Sequence, residues 1–293
     1  IDRRPATLLA AVLVLMALSI LMLERARRPR LTERRGRVVR PPHLAALSRG
    51  GRLGGVILLS TLVIATMAVP VAVLSSWWLR GAIAGRETLS IWAEIGRSIS
   101  VSVGAALLVA ALAIPIALLV TRYRSRLGEM LEAAAWTVSA LPHLTVGLAI
   151  LVVGVTLVLP LYQTLPLLFA SYVTMFLPQA LGPTEMALRQ VSPNLEEASR
   201  SLGQSALKTF RRITMPLIGK GVAIGAGLVF LTTMKELPAT LLLRPTEFET
   251  LATRIWSTTS EGFYTRAAFA SLVLIMISAV PMHFLVSRDL RDA

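Results

Sequence analysis

The chain has 293 residues, 55% of them hydrophobic and none of them cysteine, with a formal net charge of +14. An apolar share this high, with mean hydropathy +0.69, is foreign to soluble domains and points to a polytopic all-α integral membrane protein, since the short alternating strands of a membrane barrel are absent. Without cysteine there are no disulfides, zinc–thiolate centres or thiol catalysis, and three scattered histidines (His43, His143 and His283) make no metal site.

Taken in chain order, seven apolar runs are predicted to cross the bilayer, at roughly 5–23, 54–79, 98–121, 133–159, 164–182, 218–236 and 266–286. The run from Pro5 to Leu23 is too long for a signal peptide and lacks a small-residue cleavage site. Segments 24–52, 122–132, 183–220 and 287–293 fall on one side if the spans alternate, and they hold 21 of the 30 Lys and Arg residues. The positive-inside rule makes that side cytoplasmic. The chain then starts in the periplasm and ends in the cytoplasm, and the basic runs are explained by topology rather than by nucleic acid. A chain that begins with Ile on the outer side and enters the membrane at once is expected to be part of a longer protein. Residues 1–23 are expected to be the last helix of an upstream module. Residues 24–53, with Pro29, Pro41 and Pro42, read as a basic cytoplasmic linker, 54–287 as a six-span domain and 288–293 as a cytoplasmic tail.

Trp77 and Trp78 close the second run before Arg80, which is the chemistry of an interfacial aromatic belt. Pro70, Pro115, Pro142, Pro178 and Pro281 fall inside spans, where each is expected to kink its helix.

Between the fifth and sixth runs lies the polar stretch EEASRSLGQSALKTFRRITMP, from Glu196 to Pro216. Asn194 with Glu197 three residues on suggests a capping-box helix start, which Pro193 keeps from beginning earlier. Gly203 permits a sharp turn. A second short helix with Leu207, Phe210 and Ile213 on one face is expected to stop at Pro216. Its apolar face must be covered, either by the chain's own helix ends and headgroups or by a partner; the residues alone leave both open.

The order Glu197-Ala198-Ser199, Gly203, Ile213-Thr214-Met215-Pro216 resembles the EAA loop of binding-protein-dependent ABC importer permeases. That family's pattern is Glu-Ala-Ala, three residues, Gly, nine residues, Ile-x-Leu-Pro; Ser199 and Met215 depart from it mildly. The resemblance implies a six-helix permease module preceded by one extra transmembrane helix. It makes 183–217 a coupling loop in which Glu197, Ala198, Ser199, Gly203, Ile213 and Pro216 meet a cytoplasmic ABC ATPase dimer. It also implies a periplasmic substrate-binding protein, a second permease half and a lipid bilayer as partners. The stretches MKELPATLLLRP, LATRIW and EGFY are similar to ferric-iron importer permeases. Related permeases carry thiamine, phosphonates, sulfate or polyamines.

Lys235 and Glu236 close the sixth run. Ionisable groups there either snorkel to water at the outer interface or mark a pathway or its outer mouth. Adjacent helical residues lie about 100° apart, so only one of them can face a narrow pore. Glu236 suits a cation pathway and Lys235 an anchoring role. His143 is expected to be a hydrogen-bonded interior residue. There is no Gly-x-x-x-x-Gly-Lys-Ser/Thr loop and no catalytic cluster. The chain is therefore expected to be a transport subunit that binds no cofactor, with ATP used by a partner. A membrane enzyme would need a His, Asp or Glu cluster, and a stand-alone channel would not need the loop.

Overall fold

The computed structural model describes Ser19 and residues 48–85 and 90–289. The predicted span 5–23, apart from Ser19, the segment 24–47 and residues 290–293 lie outside them. The described residues are helical, with no strand among them.

Helix α1 (Arg49–Val63) opens on Ser48, whose hydroxyl accepts from the Gly51 amide at 3.3 Å. It passes through a π turn, Ile64–Ala68, into α2 (Val69–Ile83). Residues 50–83 form one rod of 34 residues whose most apolar stretch has nothing buried. Next comes α3 (Trp92–Thr121), which buries Ala105, Val109, Ala113 and Ala117 completely. That four-residue spacing makes a stripe of small side chains along which other helices approach closely.

The fourth predicted span is not one helix. α4 (Arg126–Ser139) and α5 (His143–Thr156) meet at 114°. The chain at Pro142 is extended (φ −57°, ψ 133°), and proline offers no N–H to carry a helix across residues 140–142. The pair nevertheless makes one crossing. A Cβ on Gly128 would lie 2.9 Å from Leu119 near the end of α3, and one on Gly154 would lie 2.7 Å from Leu167 at the start of the next helix.

That helix, α6 (Leu165–Gln190), holds Pro178 and Pro183 in its interior. An elbow follows: α7 (Pro193–Ser201), then the single turn α8 (Ala206–Thr209), a π turn at Phe210–Thr214 and α9 (Met215–Met234). The segment 183–217 holds the two short helices expected in it, but α6 runs on to Gln190 and the second helix is continuous with α9, so the non-helical backbone is confined to 191–192 and 202–205. Hydropathy marks where the bilayer ends, not where a helix ends. Pro216 does not stop the second elbow helix. The π turn carries it through, with the Met215 amide bonded five residues back to the Phe210 carbonyl, so Ala206–Met234 is one 29-residue run. The same device stands at the other end of the domain, where the Val69 amide reaches the Ile64 carbonyl just before Pro70.

The chain ends with α10 (Pro238–Leu243), α11 (Leu251–Ser260) and α12 (Tyr264–Asp289). Five helices among the described residues are long and apolar enough to span, and the bent pair, taken as one span, brings the number to six. The core lies between α3, α6 and α9, around the buried Tyr172, Phe176, Leu181 and Val229. α12 packs on α2: Trp77 lies 5.4 Å from Tyr264 and Trp78 stacks 5.8 Å from Phe269, ring centre to ring centre. The two tryptophans predicted as interfacial thus also bolt α2 to the bundle.

Candidate functional site

Two polar constellations stand out, one at the elbow and one inside the bundle. At the elbow, α7 begins two residues earlier than Asn194 would set it. Ser192 is the N-cap and Pro193 the first helical residue, and no side-chain cap bond forms, so the expected Asn194–Glu197 capping box is absent. Proline needs no N–H partner in a first turn, which makes it a good starter there. The helix ends in a Schellman arrangement: the Gln204 amide bonds the Ser199 carbonyl at 3.2 Å and the Gly203 amide bonds the Arg200 carbonyl at 2.9 Å. Gly203 sits at φ +81°, a left-handed backbone that side-chain-bearing residues resist.

The elbow has two faces. Glu196 and Ser199, three apart, point inward and are buried. The Ser199 hydroxyl bonds the Thr209 hydroxyl at 2.9 Å across the bend, which gives the departure from Ala at this position a physical role. Glu196 accepts from Arg122 Nε and from Thr214 Oγ1, each at 3.2 Å. Arg122, at the end of α3, also donates to the Leu188 carbonyl at 3.1 Å and the Val191 carbonyl at 2.7 Å. Facing outward are Glu197, Ala198, Arg200 and the apolar Leu195, Leu202 and Leu207, with Leu202 82% exposed. Ile213 is half-buried in the π turn and Pro216 is exposed. Between the faces a cleft of about 410 Å³ opens, bordered by Leu118, Tyr123, Glu197, Arg200 and Phe210. Of the residues named from sequence, Glu197, Ala198, Ser199 and Gly203 come together in one bend. Arg122 and Glu196 were not singled out. The only sequence trace of their contact is a second Glu beside the motif.

The second constellation is built on two helix breaks. α9 ends at Met234 and α10 starts at Pro238; the turn between them faces the break that separates α4 from α5. Glu236 Oε2 lies 2.7 Å from His143 Nδ1, and Oε1 accepts from the Ala239 amide at 3.1 Å. The Thr240 hydroxyl donates to the Glu236 carbonyl at 2.9 Å and pairs with the Tyr172 hydroxyl at 2.8 Å. Phe176 meets the His143 ring edge-on and stacks on Tyr172. Glu236 is 5% exposed, whereas Lys235 is exposed. The pair is thus divided, one side chain in and one out, by the turn rather than by helical spacing.

It does not sit at the outer tip of a straight span. Met234 approaches Ser102, ten residues into α3, and His143 packs on Phe176 near the middle of α6. Starting at Ala206 instead of 218, the helix is used up before it reaches the far end. His143 is hydrogen-bonded as expected, with Glu236 as its partner, but its ring is 35% exposed rather than interior.

Towards that far end a third set of charges joins α3 to the segment before α11, unforeseen from sequence. Arg97 donates to the Glu247 carbonyl at 2.8 Å, the Leu251 amide bonds Ser98 Oγ at 2.7 Å, and Glu249 pairs with Arg254 at 3.2 Å and with Arg244 at 3.5 Å. No group of three or more His, Cys, Asp or Glu that could hold a metal occurs among the described residues.

Comparison with known proteins places these features. Residues 112–288 match the family of binding-protein-dependent transport system inner membrane components. The Fe(3+)-transport system permease protein FbpB 2 of Haemophilus influenzae is 31% identical over 287 residues, 96% of this chain and 56% of that protein. The chain therefore spans about half the length of this relative. PhnV of Salmonella typhimurium, named for a 2-aminoethylphosphonate transport system, is 26% identical over 65% of this chain and 72% of its own length. A chain of a bacterial alginate ABC transporter, solved in complex with an alginate pentasaccharide-bound periplasmic protein, shares the fold with TM-score 0.63 and 17% identity over 80% of this chain and 92% of that one.

Proposed function

Because the chain belongs to the family of binding-protein-dependent transport system inner membrane components, we propose that it is the permease part of an ATP-driven importer whose cargo is ferric iron. The observation that carries this reading is the two-faced elbow. Its inner face is tied to the bundle through Arg122, Glu196, Ser199 and Thr209, while its outer face offers Glu197 among exposed leucines. An apolar surface with a central carboxylate, projecting beyond the membrane helices, fits a groove on a soluble partner. In this reading the partner is an ABC ATPase dimer in the cytoplasm. This chain binds no cofactor; ATP is used by the partner, whose closure drives the elbow. The elbow end, where both the start of α1 and the end of α12 lie, is then the cytoplasmic end.

The charged network of Arg97, Arg244, Glu249 and Arg254 at the opposite end faces the periplasm. There a binding protein delivers cargo towards the His143–Glu236 turn. The second permease half is an upstream part of a longer chain or a separate copy. Iron is favoured by the relative that aligns along 96% of the chain; phosphonate is the second reading, favoured by PhnV.

The experiment is reconstitution of the whole importer with candidate ATPase and binding proteins. We expect uptake of radiolabelled ferric iron, and uptake of phosphonate without iron would end the cargo assignment. Gly203→Pro, which cannot adopt φ +81°, and Glu197→Lys should leave the chain inserted while abolishing ATPase co-purification and binding-protein-stimulated hydrolysis. Wild-type behaviour of both variants would reduce the elbow to a surface helix.

A further inference from the structure

The elbow contains two adjacent glutamates that face opposite ways, and the inward one is held by a residue 74 positions earlier in the chain. Arg122 sits at the C-cap of α3. One edge of its guanidinium meets Glu196 on α7, and a terminal nitrogen bridges the carbonyls of Leu188 and Val191 where α6 ends. Glu196 in turn takes the Thr214 hydroxyl from the π turn at the foot of α9. The side chains of Arg122 and Glu196 are only 13% and 11% exposed. One fork therefore joins the elbow to α3, α6 and α9, the three helices around which the core is built.

We propose that Arg122 is the positioning residue that turns displacement of the elbow into displacement of the membrane helices, with Glu196 as its grip on α7. Guanidinium geometry explains the choice of side chain. A planar fork can hold a carboxylate on one edge and two carbonyls at its tip at once, while an ammonium on a flexible stem cannot fix all three directions. Without this joint α7 would be tied to the bundle by its chain connections and by the Ser199–Thr209 bond. A push on the outer face would then bend the elbow locally. With it, α3, α6 and the foot of α9 move as one piece with α7. The proposal rests on the elbow being the surface where the ATPase docks. It divides the labour between neighbours: Glu197 faces the partner, and Glu196 passes the motion inward through Arg122.

The test uses the complete importer in proteoliposomes and reads cargo moved per ATP hydrolysed, a ratio that a mere structural staple does not change. Arg122→Lys keeps the charge and loses the fork; Glu196→Gln keeps the shape and loses the charge. We expect at least a fivefold fall in the ratio for Arg122→Lys and a smaller fall for Glu196→Gln. The double variant should be no worse than Arg122→Lys, because both act through one joint. If Arg122→Lys does not assemble, Glu196→Gln and Thr214→Val test the same joint from its milder side, and each should lower the ratio. An unchanged ratio accompanied by a lower Tm would overturn the proposal, as would independent, multiplying losses in the double variant. Glu197→Lys separates this idea from the docking reading. If it has no effect while Arg122→Lys uncouples, docking through Glu197 is wrong and the joint stands; the converse removes the joint alone.

Discussion

Glu236 shows how an ionisable group inside an apolar run can be held by partners from two elements. Both carboxylate oxygens are engaged, one by His143 and one by the Ala239 amide, and the group is buried. Removing such a side chain leaves an imidazole and a backbone N–H without partners in a region of low polarity. Glu236→Ala should therefore lower stability by about 3 kcal/mol. Glu236→Gln can still accept from Ala239 and donate to His143 Nδ1, so it should cost less than about 1 kcal/mol while depressing transport through the lost charge. Lys235→Gln should do little to either. Thermal unfolding in detergent and uptake in proteoliposomes measure the two quantities separately; a transport loss with Lys235→Gln alone would point to an anionic cargo. The type of residue was legible because an ionisable group in an apolar run is conspicuous. Its partner was not, because His143 lies 93 positions away and nothing in either run announces the other.

Among the elements, α6 and α9 approach closely, and the sequence device is Gly221-x-x-x-Gly225. A Cβ on Gly225 would come within 2.8 Å of the Ala180 Cα and 2.9 Å of its carbonyl oxygen; one on Gly221 would meet the Pro183 carbonyl oxygen at 2.6 Å. Backbone does not yield as a flexible side chain does, so the helices must part. Gly225→Val should destabilise the bundle by about 1–3 kcal/mol or more. Gly219→Ala, on the same helix with nothing within 4 Å of its Cβ, should be neutral or stabilising by up to about 1 kcal/mol. Equal Tm losses in the two variants would show that helix propensity, not close approach, governs both. The spans themselves were readable from apolar runs, but their ends were not. Residues 183–190 and 206–217 are polar yet helical, and polarity looks the same on the end of a long helix as in a loop. The break at residues 140–142 was missed for a related reason. A proline that kinks a span and one that divides it, like Pro142, have the same local sequence, and the outcome depends on the packing around it.

Among the described residues, the helices and the Arg122 contacts form a bundle whose central helices are tied together, while the rod 50–83 has no buried residue in its most apolar stretch and meets the other described helices chiefly along α12. A rod of 34 residues is about 51 Å long at 1.5 Å per residue, against a hydrocarbon layer of about 30 Å. The excess must be taken up by tilt, by protrusion, or by deformation of the surrounding lipid. Because this rod is held mainly at the Trp77, Trp78 and Gly81 contacts with α12, its tilt is free to follow the thickness of the membrane more readily than that of α3, α6 or α9. Such a rod would act as a ruler for bilayer thickness, which can be measured. In proteoliposomes made from phosphatidylcholines of increasing acyl length, uptake should pass through a maximum and fall on either side. Shortening the rod by one turn within 53–63 should move that maximum to thinner bilayers, and a maximum that stays put would mean the rod is a passive fender against lipid.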